Sequence, residues 1–554
     1  MKKIRYTIIG SLLCTIVLLS SCEKDFEDIN KSPATVYTAD PVTFLHNVQL
    51  NVSTASSTWV DSYATKLRWM QYCSNIWGYS QTNFTDIGIG GTLYSEYNSM
   101  GSYVSHIPYY IEENMPEELD SYSNLIDVSR VLLIYKGIQA SDTFGSLVYS
   151  EGWGTRSENA ETVTPVFQTQ EELYTVWNNE LKGIVNRLAS ATDQKNISNY
   201  DLAYGGDVNK WIKAANALRL RIALRLLKRA PDVAKTIAAD VLGSDKHFES
   251  TNDSFILYFD NQWTTKGEWH SVIDMDRASA PFMTYLNKYD DPRKRLFFQP
   301  NNLTPENIAQ YNSEQTDPAK HIAPTTTQWE GGTVSYDYRA TDTNYMARSL
   351  EDGTDMRAMN RPQTRLWKGA QDSGSGGGWA PVVTYADFCF MASEFALEGV
   401  SSGKSAQEWY EEGVRASLRQ WSDIGGHTQI NNYEAITETE IEDFLSQTDI
   451  AWNPAIAKEQ IYNQTWVEHF KNNNEAWALW RRTGFPNQSS SVVTWDPVIV
   501  LGQEQNVPRR SKFSYPAEGT PNYENMVDRF DKMSADPEFG NIDNEFGRLW
   551  WDKQ

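Results

Sequence analysis

Cysteine and histidine are scarce in this chain of 554 residues, with four of the first and seven of the second. Cys14, Cys22, Cys73 and Cys389 are too few and too widely spread to make a disulfide framework. His46, His106, His247, His270, His321, His427 and His469 include no i, i+4 pair and have no Cys cluster beside them, so no zinc site is expected. Asp274-Met275-Asp276 reads as a solvated turn, because no Asp-x-Asp-x-Asp-Gly calcium loop is present. Basic residues are also short, 49 Lys and Arg against 72 Asp and Glu, for a net charge of −23. That balance repels phosphate backbones and excludes nucleic acid as a partner. Catalytic signatures are missing too: there is no Gly-x-Ser-x-Gly elbow and no Gly-x-x-x-x-Gly-Lys phosphate loop. A pair of carboxylates spaced for glycoside hydrolysis would arise by chance among 72 acids, so their number says nothing. The expectation is a binding protein without enzymatic activity or cofactor.

Long apolar runs are absent except for one near the start, Ile8 to Leu19, which is too short to span a bilayer comfortably. Lys2, Lys3 and Arg5 precede it, and Leu19-Ser20-Ser21-Cys22 follows. This is a signal peptide over 1–21 by its physics, and its end resembles the lipobox of bacterial lipoproteins. Cys22 is then the acylated first residue of the mature chain 22–554, anchored by buried methylenes without a transmembrane helix. The acidic stretch Glu23 to Asp28 is similar to surface-export signals of such lipoproteins. Removing 1–21 takes away three basic and no acidic groups, so the mature balance deepens to about −26.

What is present is helical periodicity with caps. Thr169 with Glu172 is a capping box before Leu173, Trp177, Leu181, Ile184 and Leu188. Asp207 caps a run through Trp211, Leu218 and Leu226 that Pro231 should stop. Thr384 opens a helix carrying Phe388, Met391 and Phe395, with Gly399 past its end, and Ser405 with Glu408 opens the next. Asn453-Pro454 should open the last long one, through Ile461, Trp466 and Phe470. The pair 384–421 has the length of one tetratricopeptide repeat. The fold expected is therefore mainly α, with tetratricopeptide-like helical hairpins forming a scaffold over about 40–230 and 384–485. Residues 231–383 and 486–554 read as long irregular insertions, including the Gly/Ser run 373–378. Cys73 and Cys389 should be small buried hydrophobes. Arg293, Lys294 and Arg295 read as a solvated turn.

Aromatics are abundant: 20 Trp, 29 Tyr and 21 Phe. Trp211, Trp409, Trp466, Trp477 and Trp480 keep helical spacing and belong to the scaffold. Others stand outside any helical period among polar neighbours, where a ring can stack on the C–H face of a sugar while amides reach its hydroxyls. The candidates for oligosaccharide contact are Trp77, Tyr79, Asn83, Trp263, Trp329 and Trp379, with Tyr336-Asp337-Tyr338 alongside. For each ring taken singly, packing is an equal alternative.

Several ordered stretches then resemble the SusD/RagB family of outer-membrane nutrient-binding lipoproteins. They are Ala140 to Tyr149, Asn209 to Ala223, Tyr385-Ala386-Asp387-Phe388 with Ala392-Ser393-Glu394, Ala406 to Val414, Asn474 to Pro486, and Pro508-Arg509-Arg510 with Tyr515-Pro516. The resemblance implies four tetratricopeptide-like hairpins supporting a less regular half. It also implies a cell-surface lid over a SusC-like TonB-dependent transporter, capturing oligosaccharides or, in some members, peptides. It places Trp77 to Asn83 in a ligand-binding loop. From the residues alone, a peptide-binding member and a helical-repeat adaptor remain alternatives. The basic residues of this helix region, Arg219, Arg221, Arg225, Lys228 and Arg229, could equally pair with acidic neighbours.

Overall fold

The computed structural model describes residues 39–52, 65–76, 91–154, 163–259, 276–325, 327–368 and 376–554. Residues 1–21, expected to be a signal segment, and Cys22 lie outside them. The longer helices are α1 (Gly91–Asn114), α2 (Ser123–Phe144), α3 (Gln170–Ser190), α4 (Val208–Leu226), α5 (Pro231–Leu242), α6 (Ala280–Lys288), α7 (Pro305–Glu314), α8 (Tyr385–Leu397), α9 (Ala406–Thr428), α10 (Glu438–Leu445), α11 (Ala457–Glu468), α12 (Asn473–Thr483) and α13 (Tyr523–Ser534). The molecule is mainly α-helical, as expected. Consecutive helices pack in pairs, α1 with α2, α3 with α4, α8 with α9 and α11 with α12. The pairs join through α4, α8 and α11, so each amphipathic face is buried against the next unit.

The caps form where the sequence places them. Thr169 and Ser405 each accept from the backbone N–H three residues on, and Glu172 and Glu408 return the bond to the cap residue. Asp207 accepts from the amides of Asn209 and Lys210, and Thr384 from that of Asp387. Pro231 ends α4 but also occupies the first turn of α5, where its missing N–H costs nothing. The expected insertion 231–383 thus opens with a scaffold helix packed on α4 and later holds α6 and α7. Residues 486–554 likewise contain α13. The helix expected from Asn453-Pro454 begins at Ala457 and gives way to a second at Asn473.

Strands are few. β1 (Cys73–Asn75) pairs antiparallel with β3 (Asp276–Ala278), β2 (Phe255–Phe259) with β4 (Gly378–Val383), and β5 (Ile499–Val500) with β6 (Gln503–Glu504). Among the described residues one large core runs through the helices, and a small satellite around Leu303, Ile308, Tyr311 and Met356 lies within the insertion 231–383. Phe470 is a centre of the large core, ringed by Phe282, Phe297, Trp367 and Trp421, while Tyr72 stacks on Trp466 at 4.7 Å. Cys73 and Cys389 are free, buried thiols pushed well up by burial, which fits a packing role. Among the described residues no helix is long and apolar enough to cross a membrane.

The motif stretches meet in one buried charged node. Arg221 and Arg225 of α4 bond to Asp387 of α8 and Asp142 of α2, and both reach Glu475 of α12. Arg482 of α12 pairs with Glu394 of α8. Every one of these side chains is buried, so each charge needs its partner. Burial pushes the Asp387 carboxyl up, but Arg221 and then His469 outweigh it and hold it at about 2. The last carbonyls of α2 are closed by Arg481 of α12, Arg529 of α13 and a backbone amide. Arg481 donates to Asp142 O, Ser511 N to Thr143 O at 3.1 Å, and Arg529 to Phe144 O at 2.7 Å. These stretches are therefore the joints of the scaffold.

Candidate functional site

Trp77, Tyr79, Asn83 and Trp263 lie outside the described residues. Their flanks are described, and the strand pairing brings those flanks together. β1 ends two residues before Trp77, and in register Asn75 faces Asp276, the first described residue after 260–275. β2 ends at Phe259, the residue before that same stretch, and Phe259 faces Gly378, which follows 369–375. Two short ladders thus hold the described ends of three aromatic- or glycine-rich stretches. The glycines at the last of them are required by close packing. A Cβ at Gly377 would sit 2.3 Å from His427 Nε2 and 2.6 Å from Phe259 O. The expected flexible run therefore ends in a tight backbone joint against the end of α9.

Asp276 is not part of a solvated turn. It is fully buried in β3, 3.3 Å from Arg68, and burial pushes its carboxyl up to about 6 despite that cation.

Trp379 is corrected by the structure. It is 1% exposed in β4, edge-on to Trp421 at 5.2 Å with Lys471 4.4 Å over its ring, so no face is open to a sugar. Pairing of β4 with β2 draws the ring inward, although its sequence neighbours are glycines.

Trp329 behaves differently. It is half-buried and edges an open cleft of about 320 Å³, lined by Asp290, Lys294, Arg295, Glu440, Asp443 and Gln447 with Phe444 beneath. Asn287, near the end of α6, fixes its carbonyl at 3.0 Å. Lys294 lies 5.4 Å from the ring centroid and 3.0 Å from Asp290. Arg295 pairs with Glu440 at 2.8 Å. Arg293, expected in a solvated turn, is instead fully buried, bonded to Asp291 at 2.7 Å and to Gln464 and Ser417. It is the pin that fixes the 290–295 corner as one wall of the cleft. The lining residues on α10 were missed by sequence reasoning, because nothing in 438–445 beyond its capping box marks it as facing Trp329.

A second open ring is Tyr338, 51% exposed. Asp337 beside it accepts from the amides of Leu501 and Gly502, and Arg339 covers Tyr336 at 5.8 Å. Among the described residues no group of three or more His, Cys, Asp or Glu could hold a metal ion.

A stacked-helix scaffold with an aromatic cleft between its insertion and α10 defines a helical-repeat binding protein. The family model described as SusD-like, starch-binding and associating with the outer membrane matches residues 33–516, and the chain belongs to that family. Solved structures agree on the fold. A chitin-binding protein superposes with a TM-score of 0.70 at 21% identity, covering 93% of this chain and 100% of its own. A chitin-binding SusD homologue from Flavobacterium johnsoniae gives 0.63 at 21%, covering 92% and 98%. A SusD homologue from Bacteroides fragilis gives 0.67 at 18%, covering 93% and 100%. No curated protein matches the chain.

Proposed function

We propose that this protein is a cell-surface lipoprotein, anchored through Cys22, that captures oligosaccharides and passes them to a SusC-like TonB-dependent transporter. The observation that carries the reading is the half-exposed Trp329 ring on a cleft with polar walls, built on a scaffold whose core needs none of that polarity. Trp77, Tyr79 and Trp263 would add stacking faces and Asn83 a hydroxyl partner, on stretches whose described flanks the ladders hold together. Shallow stacking supplies contact area at low ordering cost and leaves affinity weak enough for handover. The family membership and the chitin-binding relatives support the ligand class. Binding without hydrolysis fits a chain that has no catalytic motif.

Calorimetry of the mature protein against a panel of polysaccharides, starch and chitin oligomers included, tests the reading. Saturable binding that weakens on Trp77→Ala or Trp263→Ala is the expected result. Binding of peptides with no response to any glycan would overturn it, and release of reducing ends would overturn the non-enzymatic assignment.

A further inference from the structure

We infer that the β1–β3 ladder is a proton-operated latch on the glycan site. With a proton on Asp276 the ladder is tight, and loss of that proton loosens it and weakens the hold on a glycan. This rests on the capture of oligosaccharides proposed above and adds its regulation. The ladder has three facing pairs, Cys73 with Ala278, Ser74 with Arg277 and Asn75 with Asp276. A two-stranded ladder of that size is marginal in water by itself, so a change in one buried group is felt. Trp77 and Tyr79 follow β1 in the sequence, and Trp263 precedes β3.

Asp276 is poorly paired for a buried anion. Its side chain is fully enclosed, Oδ1 accepts from Arg68 at 3.3 Å, and Oδ2 has no hydrogen-bond partner among the described residues. The other two cations that face it are engaged elsewhere. Arg277 donates to the Asp276 backbone carbonyl at 2.8 Å and to Asp355 at 2.9 Å, and Arg339 lies over the Tyr345 ring at 5.2 Å. An ionised carboxylate with one long bond and a bare oxygen is costly there, whereas the neutral acid is not. Burial therefore outweighs Arg68, Arg277 and Arg339 and places the titration at about 6. Opening the ladder returns the group to water and to its ordinary value of about 4. Raising the pH from about 5 to about 7.5 thus favours opening about tenfold. The neighbours do not titrate in this range. Burial holds Cys73, and Tyr345 against Ser74 of β1, in their protonated forms. Burial pushes Asp355 up, yet the Arg357 amide and Arg277 keep it below the ordinary carboxylate range.

Hydrogen exchange of the mature protein at about pH 5 and about pH 7.5, corrected for the intrinsic rate, tests the latch. The amides of β1 and β3 should lose protection about tenfold at the higher pH, while those of the β2–β4 ladder hold theirs. Titration calorimetry with the chitin and maltose hexamers, both uncharged, reads the hold on a glycan at the same two pH values. The hexamer that binds should do so about two- to tenfold more weakly at the higher pH. In Asp276→Asn, which is neutral throughout and nearly isosteric, protection and affinity should both be level with pH. Equal protection of the wild-type ladder at the two pH values, or a response that persists in Asp276→Asn, would overturn the latch. A ladder that responds while hexamer affinity stays constant would overturn its control of binding. With neither hexamer bound at either pH, the oligosaccharide reading fails for these glycans and the amides alone decide the latch.

Discussion

Asp387 and Asp276 are both fully buried carboxylates, and their neighbours give them opposite pH behaviour. Asp387 is held at about 2 by Arg221 and His469, below the ordinary value of about 4, so it stabilises the fold above that value. Its contribution is lost as pH falls through about 2. Asp387→Asn leaves Arg221 short of a buried partner and should cost about 3–5 kcal/mol at neutral pH, read by urea denaturation. Asp276 sits at about 6, above its unfolded value, so the folded state favours its protonated form. Stability from this group therefore falls as pH rises from about 4 through 6. Thermal melts of Asp276→Asn across that range should gain on the wild type, and a constant difference would contradict the assignment. At this scale the sequence was partly legible. The pairing of Arg221 and Arg225 with acids was one of two readings, decided only when α2, α8 and α12 converged. Arg293 was misread because its partners Gln464 and Ser417 lie on distant helices, and no local pattern marks a buried cation.

At the scale of elements, local chemistry was the most readable. Capping boxes depend on four consecutive residues, and both expected ones form. Thr169→Ala and Ser405→Ala should each cost about 1 kcal/mol and add in the double variant, since the caps share no partners. Denaturant midpoints would check this. Packing between helices was not readable. Gly413 faces the α8–α9 contact, where a Cβ would sit 2.6 Å from Phe390 and 3.1 Å from the Cys389 Cβ. Gly413→Ala gains helix propensity of about 1 kcal/mol but overpacks this seam. A lowered thermal midpoint is expected, and a raised one would show that the seam yields. Trp379 was misplaced, and Pro231 was read only as a stop, for related reasons. A ring after glycines looks like a loop until a partner strand covers it, and a proline that stops one helix can open the next.

For the molecule as a whole, family membership and helical architecture followed from motifs spread along the chain, because those motifs are its joints. The cleft was not legible, since Trp329, the 290–295 corner and α10 come from three separated segments. The C-terminal stretch is stitched back onto the scaffold by Arg229 to Trp550 O and Asp536, and by Arg509, which donates to Arg481 O at 2.7 Å. Cys22→Ala should move the protein from the membrane to the soluble fraction, and retention there would argue against the lipid anchor. The burial of the scaffold tryptophans also governs how this protein can be observed. Ten indoles are fully enclosed among the described residues. Its intrinsic emission should therefore be blue-shifted and dominated by rings no ligand touches. Unfolding will be bright in fluorescence, while a sugar stacking on Trp329 will alter only a small fraction of the light.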